Sequence, residues 1–394
     1  MKARLRLAMA TAAVIVMAAC GSTTSAPASN LPQSIGPGEQ KLNLIAWTGY
    51  VESGKTDPKV DWVTPFQTQT GCIINVKFAD TSDEMVTLMR QGGGKVWDGV
   101  SASGDATNRL IAHGDVAEVN VNLIPDFKDV IQSLQSPRHN TINGHHYGVP
   151  YMYGPNVLMY NTQKVNPAPT SWDVTWETNS PYKGKIAAYD NTIFIADAAL
   201  YLKAHKPELN ITDVYELTSA QLDAAINLLK QQAPMIKKYW SATTDETDPF
   251  SSGDIVIGTA WPYQVSFLKS ENKPVAALVP SEGATGWADT WMMSSHAQHP
   301  NCMYLWMKYT EQPSVQDQVA EFYGATPSNA KACDLLRTHI GASADADYHC
   351  GDNAFLHNIA LWKTPLQNCG DSRGNTCTDY SVWAQRWQEV RGTK

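Results

Sequence analysis

Leu42-Asn43-Leu44-Ile45-Ala46-Trp47-Thr48-Gly49-Tyr50 is the stretch from which the fold can be read. The apolar part is too short for a helix of ordinary length and reads as a buried strand ending at Trp47. A helix is expected after it, near Val60 to Thr70, with Pro65 confined to the first turn and Gly71 as its stop. Cys72 to Phe78 is apolar and β-branched, hence a second strand. Thr81 and Glu84 form a T-x-x-E capping box, Met85, Leu88 and Met89 supply the apolar stripe behind it, and Gly92-Gly93-Gly94 ends that helix. Val96 to Ser101 is expected as a third strand and Ala106 to His113 as a helix closed by Gly114. The order β-α-β-α-β predicts a mostly parallel sheet covered by helices.

Further along, Asn143-Gly144 is a hairpin turn signal. It leads into Tyr147-Gly148-Val149-Pro150-Tyr151 and a strand expected to run on through Tyr160. Ser219 to Gln232 places Leu222, Ile226 and Leu229 on one helix face. Asp254 to Trp261 reads as another buried strand, and Ser314 as the cap of a helix carrying Val315, Val319 and Phe322. No internal repeat and no second long apolar span is present.

The first residues have a different character. Lys2, Arg4 and Arg6 precede an apolar run from Leu7 to Met17, which ends in Met17-Ala18-Ala19-Cys20. That is the layout of a secretory signal, and the run falls short of the roughly 20 residues that span a bilayer. A cysteine directly after two small residues resembles a bacterial lipobox, with Met17 where leucine is usual. The resemblance implies cleavage before Cys20 and lipidation of its thiol. Gly21-Ser22-Thr23-Thr24-Ser25-Ala26-Pro27 would then be a flexible tether, with residues 20–40 outside the folded body.

With 394 residues and 43% apolar composition, the chain exceeds one domain, and two lobes are expected. The formal charge is −8, and removal of the three basic residues of the signal takes it to −11. An acidic surface argues against a nucleic-acid partner. Apart from Cys20, six cysteines remain: Cys72, Cys302, Cys333, Cys350, Cys369 and Cys377. An even number in an exported chain suggests disulfides. Cys369 and Cys377 flank a glycine-rich loop, and Cys333 with Cys350 is a plausible second pair. Cys72 with Cys302 then remains, although spacing alone leaves fifteen pairings open. A zinc site lacks the CxxC spacing it would need.

Several motifs in fixed order are specific. Ala46-Trp47-Thr48-Gly49-Tyr50 is similar to the N-W-x-x-Y signature of the periplasmic spermidine/putrescine-binding proteins. Trp97-Asp98-Gly99-Val100 to Ser103 resembles their third strand. Tyr147 to Gly154, Thr170-Ser171-Trp172 with Pro181-Tyr182-Lys183-Gly184-Lys185, and Glu282-Gly283 through Trp287-Ala288-Asp289 follow in their order. The resemblance covers most of the chain after the signal. It implies a two-lobed α/β fold of the type II periplasmic-binding-protein kind, with the ligand in the interlobe cleft. One lobe would comprise 41–151 with 286–325, the other 152–285 with 326–394. It further implies a solute receptor of an ABC importer, monomeric, without a cofactor, delivering a polyamine-like solute to permease subunits outside the cytoplasm.

Polyamines need aromatic faces for methylenes and carboxylates for ammonium groups, and rings also attract cations by about 0.5–2 kcal/mol. By the resemblance, Trp47, Trp261 and Trp287 are stacking residues, Tyr50 their neighbour and Asp289 the amine-binding carboxylate. Thr48 and Ser103 stand at polar contact positions. The departures concern charge. Gly49 stands where the family often carries Glu. Asn191 and Phe194 align where carboxylates are expected, leaving Asp190 and Asp105 as substitutes. An unpaired buried ammonium is costly, so a monocationic amine or a non-polyamine ligand is the alternative. His139, His145 and His146 make a poor metal site, since adjacent strand residues face opposite ways. The rival class is a secreted hydrolase, but no G-x-S-x-G, H-E-x-x-H or P-loop motif occurs.

Overall fold

The computed structural model describes residues 31–392, apart from 56 and 342. The signal segment, Cys20 and most of the expected tether lie outside the described residues. Among those described, no helix is long and apolar enough to cross a membrane.

Two sheets organise the body. The strands are β1 (Lys41–Ala46), β2 (Ile73–Phe78), β3 (Gly99–Ala102), the short β4 (Thr141–Ile142) and β5 (His145–His146), β6 (Val149–Pro155) and β7 (Val157–Asn161). They continue with β8 (Ile186–Tyr189), β9 (Ile236–Trp240), β10 (Ile257–Ala260), β11 (Val275–Leu278), β12 (Ala284–Met293), β13 (Thr326–Pro327) and β14 (Ile359–Leu361). One sheet has the order β13-β6-β12-β3-β1-β2, with β14 also on β12, and the other β11-β7-β10-β8-β9. β1, β2 and β3 are parallel, as the β-α-β-α-β pattern predicts, while β12 runs antiparallel to β3 and β6.

Local signals explain most elements. Thr81 Oγ1 accepts from Glu84 N at 3.1 Å, and the Glu84 carboxylate returns to Asp80 N at 3.0 Å, one residue before the capping-box position. Gly71 and Gly114 end their helices in the left-handed conformation, as expected of C-terminal glycines. Asn143 and Gly144 both have positive φ, the requirement of a two-residue hairpin turn. The helix Ser219–Gln232 begins and ends where the periodicity puts it.

Other elements differ from expectation. The third strand starts at Gly99, not Val96, whose side chain is exposed. The helix expected from Val60 starts at Val63. Ser314 does not cap its helix. Pro313 is the first helical residue and Gln312 precedes it, because proline has φ preset for the helix and lacks the N–H that a cap would satisfy. The strand read through Tyr160 breaks at Asn156, where the chain leaves the first sheet for the second.

That break is where the chain crosses from one sheet to the other. Asn156 Nδ2 donates to Thr285 Oγ1 at 2.6 Å, Asn156 N to Thr285 O at 2.8 Å, and Thr285 Oγ1 to the buried Asp197 at 3.0 Å. The two crossing segments, one before β7 and one entering β12, are thus bonded side by side. Relative to the boundaries read from sequence, Val149–Pro155, Thr326–Pro327 and Ile359–Leu361 all pair within the first sheet. The helix Tyr380–Arg391 lies on the second, where Lys230 meets Glu389 and Arg386 meets Asp223. Disulfides join Cys72–Cys302, Cys333–Cys350 and Cys369–Cys377, the three pairs favoured from sequence.

Candidate ligand-binding site

The parallel strands aim their carboxyl ends at the space between the sheets, where open α/β folds place ligands. Trp47 directly follows β1, Ser103 follows β3 and Trp261 follows β10, while β12 crosses the same space with Trp287 and Asp289. Trp47, Ser103, Trp261, Trp287 and Asp289, together with Tyr323 and Trp362, enclose a small cavity of ≈ 10 Å³, about the room of one water molecule. All seven are nearly or fully buried.

Asp289 is the only carboxylate among the residues lining this cavity. Ser103 Oγ donates to one of its oxygens, and Tyr50 Oη donates to the other at 2.6 Å. The Trp47 indole N–H is close enough to favour the charged form but short of full hydrogen-bond geometry. Burial is the largest influence and pushes the Asp289 carboxyl up to about 7, against the two hydroxyl donors that favour its charge. The nearby Asp105 charge pushes in the same direction as burial.

Aromatic rings build the walls. Trp47 meets Trp261 edge-on at 5.5 Å, and Trp287 meets Tyr323 at 5.6 Å. Behind Trp261 stand Tyr189 at 5.3 Å and Trp240 at 4.9 Å, and Tyr189 also stacks on Trp362. Such pairs hold ring orientation as well as bury area. The indole nitrogens of Trp47, Trp287 and Trp362, three of the rings that line the cavity, are buried without a hydrogen-bond partner.

The remaining expected residues lie elsewhere. Tyr50 is bonded to Asp289 from outside the cavity wall. Thr48 is half-buried and does not line it. Asp105 is buried in the first turn of the helix Gly104–His113, accepts from Ser82 Oγ at 2.8 Å, and has its carboxyl raised to about 6, chiefly by burial. Asp190 pairs with Arg391 at 3.0 Å. Asn191 accepts from Ile193 N at 3.0 Å, as the cap of a short helical turn. Phe194 packs between Trp176 and Trp387. These last three serve the second sheet and not the cavity.

Gly49 has φ of 90°, and a β-carbon there would sit 3.0 Å from the Tyr323 ring and 3.2 Å from Tyr263. The space a glutamate would need is filled by tyrosine. Sequence reading missed Tyr323 and Trp362. Tyr323 closes the helix whose apolar stripe was read through Phe322 and stands one position beyond it. Trp362 follows a three-residue strand with no periodic signal. Among the histidines, His145 pairs with Glu118 while His139 is buried with its imidazole lowered to about 4 by burial. They form no shared ligand set.

The chain is similar to known proteins. Residues 61–345 match the family described as bacterial extracellular solute-binding protein. The putrescine/agmatine-binding protein of Pseudomonas aeruginosa is 24% identical over 321 residues, covering 77% of this chain and 82% of that one. The spermidine/putrescine-binding periplasmic protein 1 of Haemophilus influenzae is 22% identical over 299 residues, covering 75% and 78%. The structure of the spermidine/putrescine ABC transporter substrate-binding protein PotD from Streptococcus pneumoniae superposes with a TM-score of 0.67 at 19% identity, over 90% of this chain and 99% of that one. The fold is therefore the type II periplasmic-binding-protein fold expected from the motifs, and the chain belongs to the family of bacterial extracellular solute-binding proteins.

Proposed function

We propose that this protein is the receptor of an ABC importer for a small organic cation carrying one ammonium group that pairs with Asp289. The observation that carries the reading is the buried Asp289 carboxylate, alone in an aromatic cavity and held by two hydroxyl donors. The named functions of the relatives support an amine. The cavity itself favours a single charge, since Asp190 is spent on Arg391 and Asn191 on its turn. The unpartnered indole donors favour a ligand that also bears an acceptor oxygen, because a buried N–H without a partner is costly.

A cavity of ≈ 10 Å³ admits no four-carbon amine, and ligand pockets commonly measure about 300–1,000 Å³. Loading therefore requires Trp261 to withdraw from Trp47 and Trp287. We place the moving lobes on the two sheets, with the hinge at Asn156 and Thr285. Ligand contacts on both sides would favour closure, and the closed form would dock on permease subunits. Cys20 would hold the receptor, as a monomer, at the outer face of the membrane through lipid.

Calorimetry on the protein with 4-aminobutanol, putrescine, spermidine and 4-aminobutyrate tests this. Tight binding of a monoamine that Asp289→Asn abolishes is the expected result. Binding of a diamine unaffected by Asp289→Asn would overturn the site. Product turnover would instead favour the hydrolase reading.

A further inference from the structure

A second constellation lies outside the cavity. The helix Pro313–Tyr323 carries Asp317 and Glu321 four residues apart, hence on one face. His339, in the helix Ala330–Ile340, turns Nδ1 to both, 3.0 Å from Asp317 Oδ2 and 3.2 Å from Glu321 Oε1. Asp317 is 2% exposed, and its other oxygen, Oδ1, is buried without any hydrogen-bond partner. All three side chains line a groove of ≈ 530 Å³, and Glu321 and His339 are open to solvent.

A comparable trio, Asp173, His205 and Glu282, shows what a saturated cluster looks like. Ser171 and Ser281 donate to Glu282, and Tyr201 donates to Asp173. That trio fastens two of the sequence motifs to each other. The groove trio lacks such donors and leaves one buried carboxylate oxygen unmatched.

We propose that Asp317, Glu321 and His339 form a three-ligand site for a borderline divalent cation of the zinc type, which cross-links the two helices beside Tyr323. One imidazole and two carboxylates are a donor set suited to such ions. Metal–ligand bonds of about 2.0–2.2 Å place neighbouring donors roughly 3.0–3.5 Å apart, and the two measured separations already fall there. The ion takes the place of the proton between Nδ1 and the carboxylates; that proton moves to Nε2 of a neutral imidazole and leaves to solvent only from an imidazolium. The inference does not depend on what the central cavity holds.

Zn²⁺ alone, titrated by calorimetry into the full chain with its disulfides intact, should bind at one equivalent. His339→Ala and the surface substitution Glu321→Gln should each weaken binding at least tenfold, while His205→Ala leaves it unchanged. Co²⁺ should give a visible absorption band that His339→Ala removes. No binding, binding indifferent to both groove substitutions, or binding lost in His205→Ala would each overturn the proposal.

Discussion

Tyr380 Oη donates to Asp83 Oδ1 at 2.7 Å, joining the first turn of the C-terminal helix to the helix Ser82–Met89. Arg109 completes the contact, bonding the same Asp83 oxygen at 2.6 Å and lying 3.9 Å over the Tyr380 ring. Asp83 and Arg109 belong to helices of the first sheet, whereas the C-terminal helix packs on the second. We predict that this trio acts as a latch on the closed form. A hydrogen bond to a charged group contributes about 1.5–3 kcal/mol, so Tyr380→Phe should weaken ligand affinity by about tenfold or more through the open–closed balance. Small-angle scattering should show a larger open fraction. An unchanged affinity and shape would remove the latch.

If the ligand's ammonium pairs with Asp289, as proposed, its binding depends on pH. The free Asp289 carboxyl titrates at about 7, and only the charged form attracts an ammonium. We predict an affinity that is level above pH 8 and falls as pH drops through 7, by up to about tenfold per unit. Calorimetry in buffers of different ionisation enthalpy should detect close to one proton released per ligand near pH 6. A flat profile would mean that Asp289 does not meet the cation.

The same burial sets the sign of stability against pH. Asp289 and Asp197 titrate at about 7 and Asp105 at about 6 when folded, each raised mainly by burial from 3.8. Between pH 4 and 7 the folded chain holds protons that the unfolded chain has lost. Stability therefore falls as pH rises, by up to about 1.4 kcal/mol per unit for each group. His139, lowered to about 4, opposes this over pH 4 to 6.5. We predict that the ligand-free protein resists denaturant better at pH 5.5 than at pH 8, and that Asp197→Asn flattens the slope.

Gly104 lets two segments touch. A β-carbon there would lie 1.8 Å from the carbonyl oxygen of Trp362. Gly104→Ala must therefore displace the segment that carries a cavity wall, at a cost of about 1–3 kcal/mol. We predict at least tenfold weaker ligand binding, with the Trp362 environment altered in intrinsic fluorescence relative to a Trp362→Phe reference. Unchanged binding would show that Trp362 is not needed.

Much of the scaffold was legible because its signals are local. The glycines after two helices, the Thr81 cap and the Asn143-Gly144 turn act within a few residues, and they appear where the sequence puts them. The strand break at Asn156 was not legible, because β6 and β7 form one apolar run whose halves pair in different sheets. Only long-range hydrogen bonding to Thr285 decides where the run divides.

The site shows the same division. By itself the sequence determined the parallel β-α-β core and an even set of six cysteines whose pairing it left open, and its strand and motif signals singled out Trp47, Ser103, Trp261, Trp287 and Asp289 as candidates. Tertiary structure alone decided that Asp190 turns to Arg391, that Asn191 caps a turn, and that Tyr323 and Trp362 close the cavity. Side-chain partners contributed by segments hundreds of residues away, such as Arg391 for Asp190, leave no periodicity or spacing in the chain, and burial is a property of the assembled sheets.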